Sequence, residues 1–163
     1  MISAPPEVRV HVAQLAASSS GTIVTIGLGS CVAIALYDPQ ARVAGLAHVL
    51  LPSETMSRDQ SNPAKFPRTA LPLLIDEMRR LGAKTERLSA KIVGGASMFG
   101  NLLPGGGINI GERNIVAVRA ALADLGLPIV AEDVGSDYGR SVYLHVDDGR
   151  VEVRSLRKGS RVL

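Results

Sequence analysis

The chain holds one cysteine, Cys31, directly after a run suited to a tight bend, Gly27-Leu28-Gly29-Ser30. A thiolate is a strong nucleophile. Backbone amides around Gly29 and Ser30 would suit an oxyanion hole, whose donors must lie about 3 Å from the developing charge. The plain alternative is packing, since cysteine is among the most commonly buried residues and is as a rule inert there. His48 follows seventeen residues later, in Gly45-Leu46-Ala47-His48-Val49-Leu50-Leu51. A histidine inside an apolar run is most often a satisfied core residue. It is also the only histidine in the strand cluster that holds Cys31, and together the two would supply a nucleophile and a general acid/base.

Other chemistries find less support. His11 and His145 stand on other strands without acidic or thiol neighbours at ligand spacing, and three dispersed histidines with one cysteine do not make a structural zinc set. The residues call for no metal and no cofactor. The run from Gly27 lacks the third glycine and the following helix of a dinucleotide fingerprint, and the chain has no Gly-Lys-Ser/Thr of a P-loop. Residues 94–111 contain seven glycines, which predicts a loop with unusual backbone angles or close approach to a ligand.

These residues need elements to position them. Val8, Val10 and Val12 alternate with polar residues, the period of a half-buried strand. Residues 16–21 read as a small-residue loop. Apolar runs at 22–28, 31–37 and 42–51 predict neighbouring buried strands, and residues 53–67 a long polar loop. A helix is expected from a Thr69 cap to Gly82, with Pro72 in its first turn. A strand at 88–93 and a second helix over 112–125 follow. Strands at 129–134, 140–146 and 151–156 close the chain, the last two joined by Asp147-Asp148-Gly149-Arg150, a hairpin signal. The count is about seven strands and two helices. Consecutive strands without intervening helices favour an α/β protein of the α+β type, a layered sandwich of mostly antiparallel or mixed sheet, in one domain over residues 1–163.

Composition bounds the rest. At 163 residues, 46% hydrophobic and 20% charged, the chain can bury a core without disulfides or metals. Its apolar runs are far shorter than the ~20 residues that span a bilayer, and the N-terminus lacks the basic and apolar regions of a signal peptide. A lone cysteine fits a reducing cytoplasm. The net charge of +3, from 18 basic and 15 acidic residues, is too small to argue nucleic-acid binding, and the aromatics do not interleave with basic residues. Arg150, Arg154, Arg157, Lys158 and Arg161 crowd the last fourteen residues against Glu152. They read either as a solvated basic tail or as a device steering an acidic partner.

Several blocks, in order, resemble the CheD family, the chemoreceptor glutamine deamidases of bacterial chemotaxis. They are Gly27-Leu28-Gly29-Ser30-Cys31-Val32-Ala33, Tyr37-Asp38-Pro39, Gly45 through His48 to Leu51-Pro52, Ala90-Lys91-Ile92-Val93-Gly94-Gly95-Ala96, Ile110-Gly111-Glu112-Arg113-Asn114, and Glu132-Asp133-Val134-Gly135 with Arg140. The resemblance ends in the hairpin strand at 149–154 and covers nearly the whole chain. It implies Cys31 as nucleophile, His48 as its acid/base partner and Thr25 as the third catalytic group. It implies protein-glutamine glutaminase activity without a cofactor, on glutamines of the cytoplasmic helices of methyl-accepting chemoreceptors. Some members also hydrolyse receptor methyl esters. The rival reading is a binding module that regulates a CheC-type phosphatase. Two positions depart from the pattern: Ser136 stands where a second glycine often follows, and Phe66 where a tyrosine is frequent.

Overall fold

Side chains alternate across a strand, so a wholly apolar run belongs between two layers rather than at a wet surface. The computed structural model describes residues 6–97 and 109–163. In chain order these form β1 (Glu7–Arg9), β2 (Leu15–Ser18), β3 (Thr22–Leu28), β4 (Val32–Asp38), β5 (Val43–Val49), α1 (Pro67–Arg80), β6 (Ser89–Gly94), α2 (Ile110–Asp124), β7 (Ile129–Val134), β8 (Arg140–His145), β9 (Val151–Ser155) and β10 (Gly159–Val162). Two five-stranded sheets result, ordered β1-β3-β8-β9-β10 and β2-β5-β4-β6-β7. Both are mixed. The β1–β3 and β6–β7 pairs are parallel and the remaining pairs antiparallel. The architecture is the expected α+β sandwich.

The second sheet is the middle layer. On one face Val32, Ile34, Leu36, Ala47 and Val49 pack with Leu71, Leu74 and Met78 of α1 and with Val118 and Leu122 of α2. On the other, Ala33, Ala35, Ala44 and Leu46 meet Ile23, Val142, Leu144 and Val153 of the first sheet. Fully burying an aliphatic side chain contributes about 1.5–3 kcal/mol, and both cores are made of such residues. Gly45 lets α1 approach, because a Cβ there would lie 2.7 Å from Met78 Sδ and 2.8 Å from Leu74 Cδ1.

Several boundaries differ from the sequence reading. The small-residue stretch after residue 15 is a strand, not a loop: β2 pairs antiparallel with β5 from Leu15↔Ala47 to Ser18↔Ala44. Edge pairing supplies what side-chain propensity does not. The first strand ends at Arg9, and Val12 is exposed, so the alternation of Val8, Val10 and Val12 overstates it. Helix α1 starts at Pro67 with Phe66 as its cap, and the Thr69 hydroxyl donates back to the carbonyls of Pro63 and Phe66. Pro72 therefore falls in the helix body, where it lacks the N–H that would reach Arg68. Helix α2 starts at Ile110, capped by Asn109, whose side chain accepts from Glu112 N at 3.0 Å. Ser136 has φ +58°, the left-handed backbone that the glycine of the resembling pattern would adopt freely.

The basic C-terminal run is an added strand. β10 pairs with β9, and the arginines face carboxylates: Arg150 pairs with Asp148, Arg154 with Glu152, Arg157 with Asp137 and Arg161 with Asp133. His145, read as having no acidic neighbour, lies 3.7 Å from Glu152 across the hairpin. Among the described residues, no helix is long and apolar enough to cross a membrane.

Candidate active site

The β4–β5 hairpin places Cys31 and His48. Its register pairs Val32 with Val49 and Ala33 with His48. Cys31 thus stands just past the end of the ladder, diagonal to His48 and on the same face. That face is the one turned toward the first sheet, where Cys31 belongs to the inter-sheet core. Both are buried, at 8% and 0% exposure.

Thr25 reaches the pair from the opposite sheet. It points inward from β3 and is 1% exposed. Immediately after it the β3–β8 register shifts: Thr25 opposes Val142, but Leu28 opposes Arg140. One extra residue on β3 makes a bulge, accommodated by Gly27 at φ +79°. The bulge breaks strict alternation and leads the chain through Gly29 and Ser30 across to β4. Of the two glycines, Gly27 supplies the left-handed backbone.

The Thr25 hydroxyl lies 2.7 Å from His48 Nδ1 and 2.7 Å from the Val10 carbonyl oxygen. A carbonyl only accepts, so the single hydroxyl proton goes to Val10, and the Thr25 oxygen accepts from Nδ1–H. The neutral imidazole then carries its proton on Nδ1 and a free lone pair on Nε2. Nε2 is buried and has no partner among the described residues. The same Thr25 bond serves the imidazolium, so the ring need not turn when Nε2 gains a proton. The backbone of His48 is fixed as well: its N–H donates to Gln14 O at 3.0 Å, and its carbonyl accepts from Ala13 N at 2.9 Å.

Burial decides the resting protonation. It pushes the Cys31 thiol up from its ordinary 9.0, only partly offset by the residue's own backbone N–H. Burial likewise holds His48 down, from 6.5 to about 4, with the charge of His11 acting in the same direction. Both shifts disfavour the thiolate–imidazolium form at neutral pH.

The first turn of α2 and the end of β6 form the back wall. Gly95 N donates to Cys31 O at 2.8 Å, and Ala96 N to Gly29 O at 2.9 Å. Gly94 has φ +112°, and a Cβ there would lie 2.4 Å from Cys31 O. Gly111 is as tightly held, its Cβ position 2.3 Å from Ala96 O. Of the glycine-rich stretch, Gly94 and Gly95 thus pack against the turn that carries Cys31 and Gly111 packs against Gly95 and Ala96, while Gly100, Gly105, Gly106 and Gly107 lie outside the described residues. Asn114, 0% exposed, donates from Nδ2 to Ser30 O at 2.9 Å and to Leu50 O at 3.1 Å. The sequence reading assigned Asn114 no role. A polar residue on the buried stripe of α2, between Gly111 and Val118, was the available signal.

A buried thiol, an imidazole held from its far side by Thr25 and a glycine-bearing turn thus converge between the two sheets. The comparisons with known proteins place the chain in a family. Residues 50–155 match the family model described as CheD chemotactic sensory transduction. A probable chemoreceptor glutamine deamidase CheD of Caldanaerobacter subterraneus subsp. tengcongensis is 47% identical over 145 residues, 89% of this chain and 90% of that protein. The chemoreceptor glutamine deamidase CheD of Thermotoga maritima is 45% identical over 142 residues, 87% of each chain. Among solved structures, the Bacillus licheniformis hypothetical protein YfiH has a TM-score of 0.45 and 17% identity, covering 73% of this chain and 49% of its own. This chain belongs to the CheD family.

Proposed function

We propose that this protein is a cytoplasmic protein-glutamine deamidase that converts glutamine side chains of methyl-accepting chemoreceptors to glutamate. The observation that carries the reading is the Thr25–His48 bond, which leaves Nε2 as the free base on the face that holds Cys31. The names of the relatives supply the substrate class.

In the proposed reaction the Cys31 proton passes to His48 Nε2 as Sγ attacks the glutamine amide carbon. Transfer during attack suits a pair whose thiolate–imidazolium form is disfavoured. Amides of the turn around Ser30 and Cys31 hold the oxyanion. His48 returns the proton to the leaving nitrogen, ammonia departs and a thioester remains. His48 then takes a proton from water, the hydroxide cleaves the thioester, and the proton returns to Sγ as glutamate is released. The sum is amide plus water giving carboxylic acid plus ammonia, and no cofactor enters it. Thr25 and Val10 hold the ring in one tautomer throughout.

Mass spectrometry of receptor cytoplasmic fragments incubated with the protein, beside Cys31→Ser, tests this directly. Site-specific Gln-to-Glu conversion that vanishes in the variant is expected. Absence of conversion on folded fragments with the thiol reduced would overturn the reading and favour a module that binds a CheC-type phosphatase.

A further inference from the structure

The β4–β5 ladder ends one residue short of the nucleophile. Its last pair is Val32↔Val49, and beyond it the two chains take different main-chain partners. Leu50 N and Leu51 N both turn to Lys65 O, and Cys31 O accepts from Gly95 N. At this point Asn114 supplies a cross-link of its own. The Nδ2 group bridges Ser30 O and Leu50 O, at 2.9 and 3.1 Å. One carbonyl belongs to the peptide unit that carries the Cys31 N–H, and the other lies two residues past His48. Both acceptors are carbonyls, so the nitrogen end of the amide must face them. That leaves Oδ1 buried with no partner among the described residues.

A residue needed only to fill space would be apolar, because burying an unpaired amide oxygen carries a desolvation cost. We propose that Asn114 is a positioning residue for the Cys31–His48 pair. It holds the strand that delivers the nucleophile against the strand that delivers the base, and it fixes the plane of the Ser30–Cys31 peptide. The proposal rests on the Cys–His reading given above. Asn114 itself need not touch the substrate. Small misplacements of a reacting pair can cost about 10²-fold in rate, so the effect of losing the bridge should appear in the reactivity of the thiol.

Cys31 is the only thiol, so its alkylation by iodoacetamide at neutral pH reports on the pair without any receptor. The experiment compares the wild type, Asn114→Ala, His48→Ala and the double variant. Asn114→Asp serves as a second form of the same size that lacks the two donors. Asn114→Ala and Asn114→Asp should each slow alkylation by about tenfold or more. His48→Ala should slow it at least as much, and Asn114→Ala should then add nothing further, because the two act through one alignment. With receptor fragments, kcat should fall and KM stay unchanged. An equal loss in both backgrounds, an unchanged or faster rate, or failure of both Asn114 variants to fold would overturn the proposal and leave Asn114 a structural residue. Alkylation of His48→Ala at the wild-type rate would overturn the Cys–His pair itself, an outcome separate from any result at Asn114 alone.

Discussion

Thr25 and His48 come from different sheets and meet at 2.7 Å, with the Thr25 proton spent on Val10. The hydroxyl is therefore an acceptor toward the ring and selects the tautomer with Nε2 free. Thr25→Ser preserves this bond and should retain most activity. Thr25→Val keeps the shape and removes the oxygen, so the deamidation rate on receptor fragments should fall by about 10²-fold. His48→Ala should cost on the order of 10²–10⁴-fold or more. Full activity in Thr25→Val would remove Thr25 from the mechanism.

The neutral state of His48 makes a prediction about stability. In the unfolded chain the imidazole takes up a proton near 6.5, whereas in the folded protein it does so only near 4. Between these values the unfolded state binds more protons. Stability from this residue is complete above about 6.5 and is lost as pH falls toward 4, by roughly 3 kcal/mol at the end. Urea midpoints at pH 7 and pH 5 should differ more for the wild type than for His48→Gln. An equal drop in both would assign the acid sensitivity to other groups.

Gly94 joins the backbone of β6 to the turn that carries Cys31. Its φ of +112° and a Cβ position 2.4 Å from Cys31 O mean that Gly94→Ala must move one chain or the other. The strain should cost on the order of 1–3 kcal/mol, seen as a lower denaturation midpoint. Turnover measured on the folded fraction should fall as well, because the displaced atom is the carbonyl of Cys31. Gly126 is also left-handed, at φ +70°, but has open space around its Cβ position. Gly126→Ala should therefore lower stability and leave turnover per folded molecule unchanged.

Arg140 and Asp133 link the two sheets through a buried ion pair. Arg140 Nε lies 3.0 Å from Asp133 Oδ1, and its guanidinium also donates to Gly135 O at 2.9 Å. Removing one partner of a buried pair costs up to about 3–5 kcal/mol, less here because Arg161 also lies 3.6 Å from Asp133. Arg140→Met should lower the stability measured by urea unfolding toward that amount. Arg140→Met with Asp133→Leu should recover much of it, and no recovery would mean that the guanidinium's carbonyl bonds matter more than the pair.

The buried strands, the two helices and the hairpin at 147–150 are legible from periodicity and turn residues, because those signals are local. The sequence also puts Cys31 and His48 in one cluster of strands, but the register that sets them diagonally on one face comes from the β4–β5 pairing. The strand at Leu15–Ser18 and the strand in the basic tail escaped that reading, since each exists by pairing with a neighbour. The same holds for part of the basic tail: Arg150 and Arg154 pair with Asp148 and Glu152 close in sequence, but the partners of Arg157 and Arg161, Asp137 and Asp133, lie some twenty residues away or more. Within the site, Thr25 entered the sequence reading only through family resemblance, and Asn114 and the Val10 carbonyl had no assigned role. Periodicity records which side of an element is buried, but not which element lies opposite. The tautomer of His48, the close fit of Gly94 against Cys31, and the Asn114 bridge all depend on that second fact. The packing of one sheet on the other, and of α2 on the end of β6, decides them.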